Sequence, residues 1–228
     1  EYLSEDPELS AALGAAVVRG VQAHGVAVTV KHFVANDTEV ERNTVDVIVD
    51  ERVLRELYLR PFEVAVREAG AWGVMTAYNR LAGEFCAAND RLLNEILRGE
   101  WGFDGFVVSD WYGAHDATAS ANGGLTLEMP GPARVYGPHL EEAVAEGRVD
   151  EATVDALVRD LLVLIERTDA VGRPADEPER SVDDPGERAL CREVAVAGTV
   201  LARNERSALP LEPTEGLRVA VVGPNAAA

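Results

Sequence analysis

What most constrains this chain is an alternation: short apolar, β-branched runs are each followed by a stretch whose apolar positions recur at helical spacing. Residues 26–30 are the first such run. After it, residues 50–69 place Leu54, Tyr58, Phe62, Ala65, Val66 and Ala69 on one face, with Asp50 at the N-cap and Pro61 predicting a kink or split near Arg60. A second strand is predicted over 72–77, a helix over 89–98 closed by Gly99, and a third strand over 106–109 after the turn from Gly102 to Gly105. Residues 125–129 read as a fourth strand. A short helix then opens at Pro138, and a longer one follows in which Asp150 caps a run through Val154, Leu157, Leu161 and Ile165.

Strands that are apolar along their whole length have no solvated face, so they belong to a parallel sheet covered by helices on both sides. The expectation is an α/β fold, doubly wound or a (β/α)8 barrel. A closed barrel needs eight strands and roughly 250 residues, and four units are counted here. Residues 1–168 therefore read as the later, C-terminal part of a (β/α)8 (TIM-like) barrel, and the sequence as truncated at its start. Residues 169–186 hold three prolines and eight charged residues with no hydrophobic period, the signature of a linker. Residues 187–228 read as the truncated start of a second α/β sandwich domain: a helix over 187–197, an extended piece over 199–211 and a strand over 217–222.

In parallel α/β folds, ligands sit at the carboxyl ends of the strands. Polar clusters follow each predicted strand there: Lys31 and His32, Thr76 to Asn79, Ser109 to Trp111, and Glu128 to Pro130. The first three of these supply one carboxylate (Asp110), one cation (Lys31), one imidazole (His32) and two aromatics (Tyr78, Trp111), an inventory suited to a sugar ring. Adjacent residues on a regular strand face opposite ways, so a shared role for Lys31 and His32 requires a bulge or a non-proline cis peptide between them. Composition narrows the remaining classes. Forty acidic residues against 21 basic ones, a net charge of −19, argue against nucleic acid as a partner, and no apolar run is long enough to span a membrane. Metal-ligand spacings, GxGxxG and Walker loops are missing, so no metal and no cofactor is expected; Cys86 and Cys191 read as separate buried thiols.

Several strings then become specific: Glu1 to Pro7; Val30-Lys31-His32-Phe33 through Asn36, Glu39 and Arg42 to Asp50-Glu51-Arg52; Val74 to Asn79; Trp101-Gly102-Phe103; Val107 to Trp111; and Leu127 to Pro130. In this order they resemble glycoside hydrolase family 3. Val34-Ala35-Asn36 after Phe33 places the resemblance in the glucosidase/xylosidase branch rather than the N-acetylhexosaminidase branch. The resemblance implies a retaining β-glycosidase acting on terminal non-reducing β-D-glucosides or related β-glycosides through a covalent glycosyl-aspartate. It implies Asp110 as nucleophile, Lys31, His32 and Arg42 as ligands of the sugar hydroxyls, Met75 and Tyr78 as lining, and Trp111 as a platform for ring or aglycone. It also implies that the acid/base glutamate comes from the second domain beyond Ala228, which would leave the fragment inactive alone; Glu128 and Glu39 are the nearest carboxylates within it.

Three other readings stand beside this one. A strand-end lysine could form a Schiff base in a lyase, but an acidic pocket raises a lysine pKa and works against that role. A non-catalytic sugar-binding relative keeps the same residues without turnover. A β-xylosidase or α-L-arabinofuranosidase of the same family differs only in the sugar it takes.

Overall fold

The computed structural model describes residues 3–174, 178–212 and 214–226. Glu1 and Tyr2 of the matching strings, 175–177 of the expected linker, and residues 213, 227 and 228 of the expected second domain lie outside them. Contacts divide the chain into Glu1–Arg173 and Pro174–Ala228.

The first unit is an α/β fold built on a parallel sheet. Strands β1 (Thr29–Phe33), β3 (Gly73–Thr76) and β6 (Phe106–Ser109) lie side by side in that order. The first strand starts later than residue 26 because its partner begins at Gly73, which pairs with Thr29. Residues 125–129 run alongside β6 but form a single ladder pair, Leu127 with Val108. There the Thr126 hydroxyl accepts the Val107 N–H at 3.0 Å in place of a neighbouring backbone carbonyl. A small second sheet joins β2 (Asp46–Val47) to the hairpin of β4 (Arg80–Leu81) and β5 (Glu84–Phe85). Its two-residue strands are too short for any periodicity to announce them.

Helix α1 (Pro7–Gln22) has no counterpart in the sequence reading. Asp6 caps it, accepting from the Glu8 and Leu9 N–H groups at 2.8 and 3.1 Å, and Pro7 opens it. Its buried face is Ala11, Ala15 and Val18, while Leu13 and Val17 are exposed on the other side. With apolar residues all round, no 3.6-residue period stands out. Residues 51–67 form the expected helix in three pieces: α2 (Glu51–Val53), a π-helical stretch Leu54–Leu59, and α3 (Arg60–Arg67). Asp50 caps it by accepting the Val53 N–H at 2.9 Å. The widened turn ahead of Pro61 carries the helix past a residue with no N–H to donate, so the change of winding falls at Arg60.

The helix expected over 89–98 is π-helical over Arg91–Glu100 and runs through Gly99. It ends at Trp101, whose N–H reaches back to the Ile96 carbonyl at 3.0 Å, and Gly102 takes the left-handed turn at φ 69°. After α4 (Ala117–Gly123) and α5 (Pro138–Ala145), α6 (Glu151–Arg167) starts at Asp150, but there the backbone carbonyl rather than the side chain accepts, from Thr153. The main core gathers on the sheet. Phe33 lies fully buried, edge-on to Phe62 at 5.1 Å and Trp101 at 6.0 Å.

In the second unit, α7 (Pro185–Gly198) is capped by Asp184, which accepts from Gly186 and Glu187 at 2.7 and 3.0 Å. The strand expected over 217–222 does not form: these residues are exposed and join no ladder among the described residues. A strand exists only where a neighbour takes its backbone hydrogen bonds, and none is described beside it. Cys191 on α7 is exposed, whereas Cys86 is buried as expected.

Candidate active site

The carboxyl ends of β1, β3 and β6 deliver the residues singled out above. Asp110 follows β6 directly and is mostly buried. His32, on β1, directs Nε2 to Asp110 Oδ2 at 3.2 Å. The Trp111 N–H donates to Asp110 Oδ1 at 2.7 Å, and the Tyr78 hydroxyl, two residues past β3, hydrogen-bonds the same carboxylate. One carboxylate thus gathers an imidazole, a phenol and a backbone amide from three segments.

Tyr78 is the group whose acidity this arrangement changes. Burial first, then the hydrogen bond to Asp110 and its charge, push the phenol up to about 12, against the opposing pull of Arg42. The Arg42 guanidinium lies over the Tyr78 ring at 4.7 Å and pairs with Glu39 at 2.6 Å, so Arg42 joins the group through Tyr78. Lys31 is exposed and adjoins His32 through a cis peptide bond, and the pairing of β1 with β3 slips between Val30 and Phe33. The expected break in β1 is therefore present. Met75 is half-buried in the middle of β3, and Trp111 is exposed beside Asp110. No cluster of three or more metal-ligating side chains occurs among the described residues.

Glu128 has a different role from the one its position suggests. Its carboxylate accepts the backbone N–H groups of Arg134, Val135 and Tyr136 at 2.7 to 3.0 Å and is buried, so it ties down the loop that follows Pro130. That use occupies the oxygens a proton donor would need.

A sequence profile described as "Glycosyl hydrolase family 3 N terminal domain" matches residues 1–164. The chain belongs to glycosyl hydrolase family 3. A beta-glucosidase of Rhizobium radiobacter is 50% identical over 227 residues, which is 100% of this chain and 28% of that protein. A probable beta-glucosidase J of Emericella nidulans is 42% identical, over 99% of this chain and 26% of its own length. Among solved structures, a beta-glucosidase from Kluyveromyces marxianus in complex with glucose superposes with a TM-score of 0.85 at 39% identity, covering 93% of this chain and 26% of that one. Beta-glucosidase 3B from Thermotoga neapolitana in complex with glycerol gives 0.82 at 40%, covering 92% and 30%. The chain spans between a quarter and a third of these relatives.

Two residues of this family 3 chain to which the sequence reading assigned no such role hold the turn that follows the strand carrying His32. Asn79 Nδ2 donates to the Val34 carbonyl at 3.2 Å, and the Cys86 thiol reaches the same oxygen at 3.6 Å. Burial pushes that thiol up to about 12, so it stays a neutral donor. Asn79 was visible within the string that resembles the family, but nothing in sequence marks its target 45 residues away.

Proposed function

We propose that this chain carries the nucleophile of a retaining β-glycosidase, Asp110, together with part of the subsite for the sugar that is cleaved off. The observation that carries the reading is the convergence of His32, Tyr78 and the Trp111 amide on one carboxylate at a strand end. The beta-glucosidase names of the relatives, and the glucose bound to one of them, favour a terminal β-D-glucoside over a xyloside or arabinoside.

In this mechanism an Asp110 oxygen forms a bond to the anomeric carbon while the bond to the leaving oxygen breaks and an acid supplies that oxygen with a proton. Water then attacks the glycosyl-aspartate, the former acid takes the water proton, and Asp110 is released as carboxylate. Tyr78, still protonated, donates to the carboxylate and releases it as the ester forms. Lys31, His32 and Arg42 hold sugar hydroxyls, Met75 lines the ring and Trp111 offers it a face. No cofactor enters the balance.

The acid/base belongs, in this reading, to residues outside these 228. In support, Glu128 is committed to backbone amides and Glu39 to Arg42. The same reading assigns residues 1–168 to the later part of a (β/α)8 barrel, 169–186 to a linker and 187–228 to the start of a second domain. The edge of β1 away from β3, where a groove of about 650 Å³ runs past α1, is where a preceding barrel strand would lie.

The test uses Asp110→Gly in the complete polypeptide that contains this chain. Cleavage of a 2,4-dinitrophenyl β-glucoside should be lost and then restored by azide, giving the α-glucosyl azide, since a small anion attacks where the carboxylate did. A sugar-binding relative gives no cleavage before or after the substitution. Azide rescue that yields the β-azide, or unimpaired turnover by the variant, contradicts the assignment.

A further inference from the structure

Across the first unit, arginines are mostly matched with carboxylates, as Arg42 is with Glu39, Arg55 with Glu51 and Glu100, and Arg98 with Asp160. Arg80 and Arg134 are exceptions, forming no ion pair with a carboxylate among the described residues; each lies over an aromatic face. The Arg80 guanidinium is 4.3 Å from the Phe85 ring centre and that of Arg134 is 5.0 Å from Tyr112. Phe85 in turn stacks on His115, 3.9 Å between centres and 28° between planes. Burial, and then the charges of Arg80 and Arg134, hold the His115 imidazole below its ordinary range. Both guanidinium groups are therefore close enough to act on one ring, and both disfavour its protonation.

Chain connectivity ties this row to Asp110 and Tyr78. Tyr112 follows Asp110 by two residues, and its N–H donates to the Met129 carbonyl at 2.9 Å; its ring is more than half exposed. Arg80 follows Tyr78 by two residues, and Tyr78 bonds the Asp110 carboxylate. Arg134 sits in the loop whose backbone Glu128 grips. The neighbouring acids are otherwise engaged: Asp116 caps α4, accepting the Ala119 N–H at 2.7 Å, and Asp46, the ladder partner of Arg80, accepts the Gly83 N–H at 2.9 Å. In a chain with a net charge of −19, the result is a local group of two guanidiniums, each laid over a flat ring, on segments that also carry Tyr78 and Asp110.

We propose that Tyr112, Arg134, His115, Phe85 and Arg80 form a leaving-group subsite selective for aromatic aglycones that bear a carboxylate. The ring of such an aglycone stacks on the aromatic faces, and its carboxylate replaces the counterion that the two arginines lack. A guanidinium already lying over a ring presents its outer N–H edge in plane, the geometry that suits a carboxylate. The name leaving-group subsite rests on the glycosidase reading above; the binding preference does not.

The experiment measures the affinity of the complete polypeptide for 4-hydroxybenzoate and for its neutral match 4-hydroxybenzamide by calorimetry at low salt. It is paired with kcat/KM for the corresponding β-glucosides. The carboxylate should bind roughly three- to tenfold more tightly, and the advantage should shrink as salt rises. Arg134→Gln and Arg80→Gln together should abolish the preference, whereas Arg134→Lys, which keeps the charge, should retain part of it. Equal affinity for the two ligands, or a preference that survives the double substitution, overturns the subsite. A carboxylate preference that the double substitution removes, with neither glucoside hydrolysed, supports the anion strip and overturns the glycosidase reading instead.

Discussion

At Asp110 an imidazole, a phenol and a backbone amide meet one carboxylate, and the most informative of them is the phenol of Tyr78. Its phenol, pushed up to about 12 from an ordinary value of 10.0, keeps its proton across any working pH. The stability linked to this raised value is fully present below pH 10.0 and is lost as pH rises through about 12. Alkaline ultraviolet titration should show a late phenolate step that disappears in Tyr78→Phe, and the same substitution should lower kcat/KM by roughly 10- to 100-fold. An unchanged titration curve would remove Tyr78 from contact with Asp110. Asp110 itself is legible in the sequence, because it directly follows an apolar run and sits in a string resembling a known family. The Asn79 and Cys86 contacts to Val34 are not, since they reach a backbone carbonyl 45 and 52 residues away that no side-chain pattern encodes.

At the scale of elements, the turn between the π-helix Arg91–Glu100 and β6 shows how tightly one position can be set. A Cβ on Gly105 would lie 2.1 Å from the Trp72 carbonyl oxygen, so the backbone itself would have to move. Gly105→Ala should lower stability by about 1 to 3 kcal/mol, read as a lower denaturation midpoint; an unchanged midpoint would mean that this approach is looser than described. The loop after Pro130 depends on Glu128 in a comparable way. Glu128→Gln removes its charge-assisted bonds to three amides and should cost about 1.5 to 3 kcal/mol, while the dependence of turnover on leaving-group acidity stays as it was. If turnover instead collapsed for poor leaving groups and survived for good ones, Glu128 would be the acid.

Elements were legible where one face is apolar and the ends are signalled. The helix over 51–67 has Asp50, a clear stripe and Pro61, and β6 is apolar from Phe106 to Val108. Helix α1 was missed because Leu13 and Val17 blur its stripe, and β2, β4 and β5 because pairs of residues carry no period. The strand expected over 217–222 shows the opposite error: the composition is right, but no neighbour is described to complete the ladder.

Across the whole molecule, the alternation of strands and helices explains why chemistry gathers where it does. Parallel strands end on one side, so residues as distant in sequence as His32, Tyr78 and Asp110 arrive together there, and a net charge of −19 leaves the row around Arg80 and Arg134 as a local exception. Several apolar residues of α6, among them Val158 and Leu162, remain exposed. In the proposed mechanism the general acid comes from outside residues 1–228, so this stretch expressed alone should not turn over 4-nitrophenyl β-glucoside, while the complete polypeptide should; general acid/base assistance contributes about 100- to 10,000-fold. Clear turnover by the isolated stretch would place the acid within it.

The most direct test of the central claim is to trap the intermediate. The complete polypeptide is inactivated with 2,4-dinitrophenyl 2-deoxy-2-fluoro-β-glucoside, digested and read by peptide mass spectrometry. A single 2-fluoroglucosyl ester on Asp110, absent from Asp110→Asn, is the expected result. An adduct on any other carboxylate, or an enzyme that cleaves β-glucosides yet accumulates no adduct on Asp110, would contradict it.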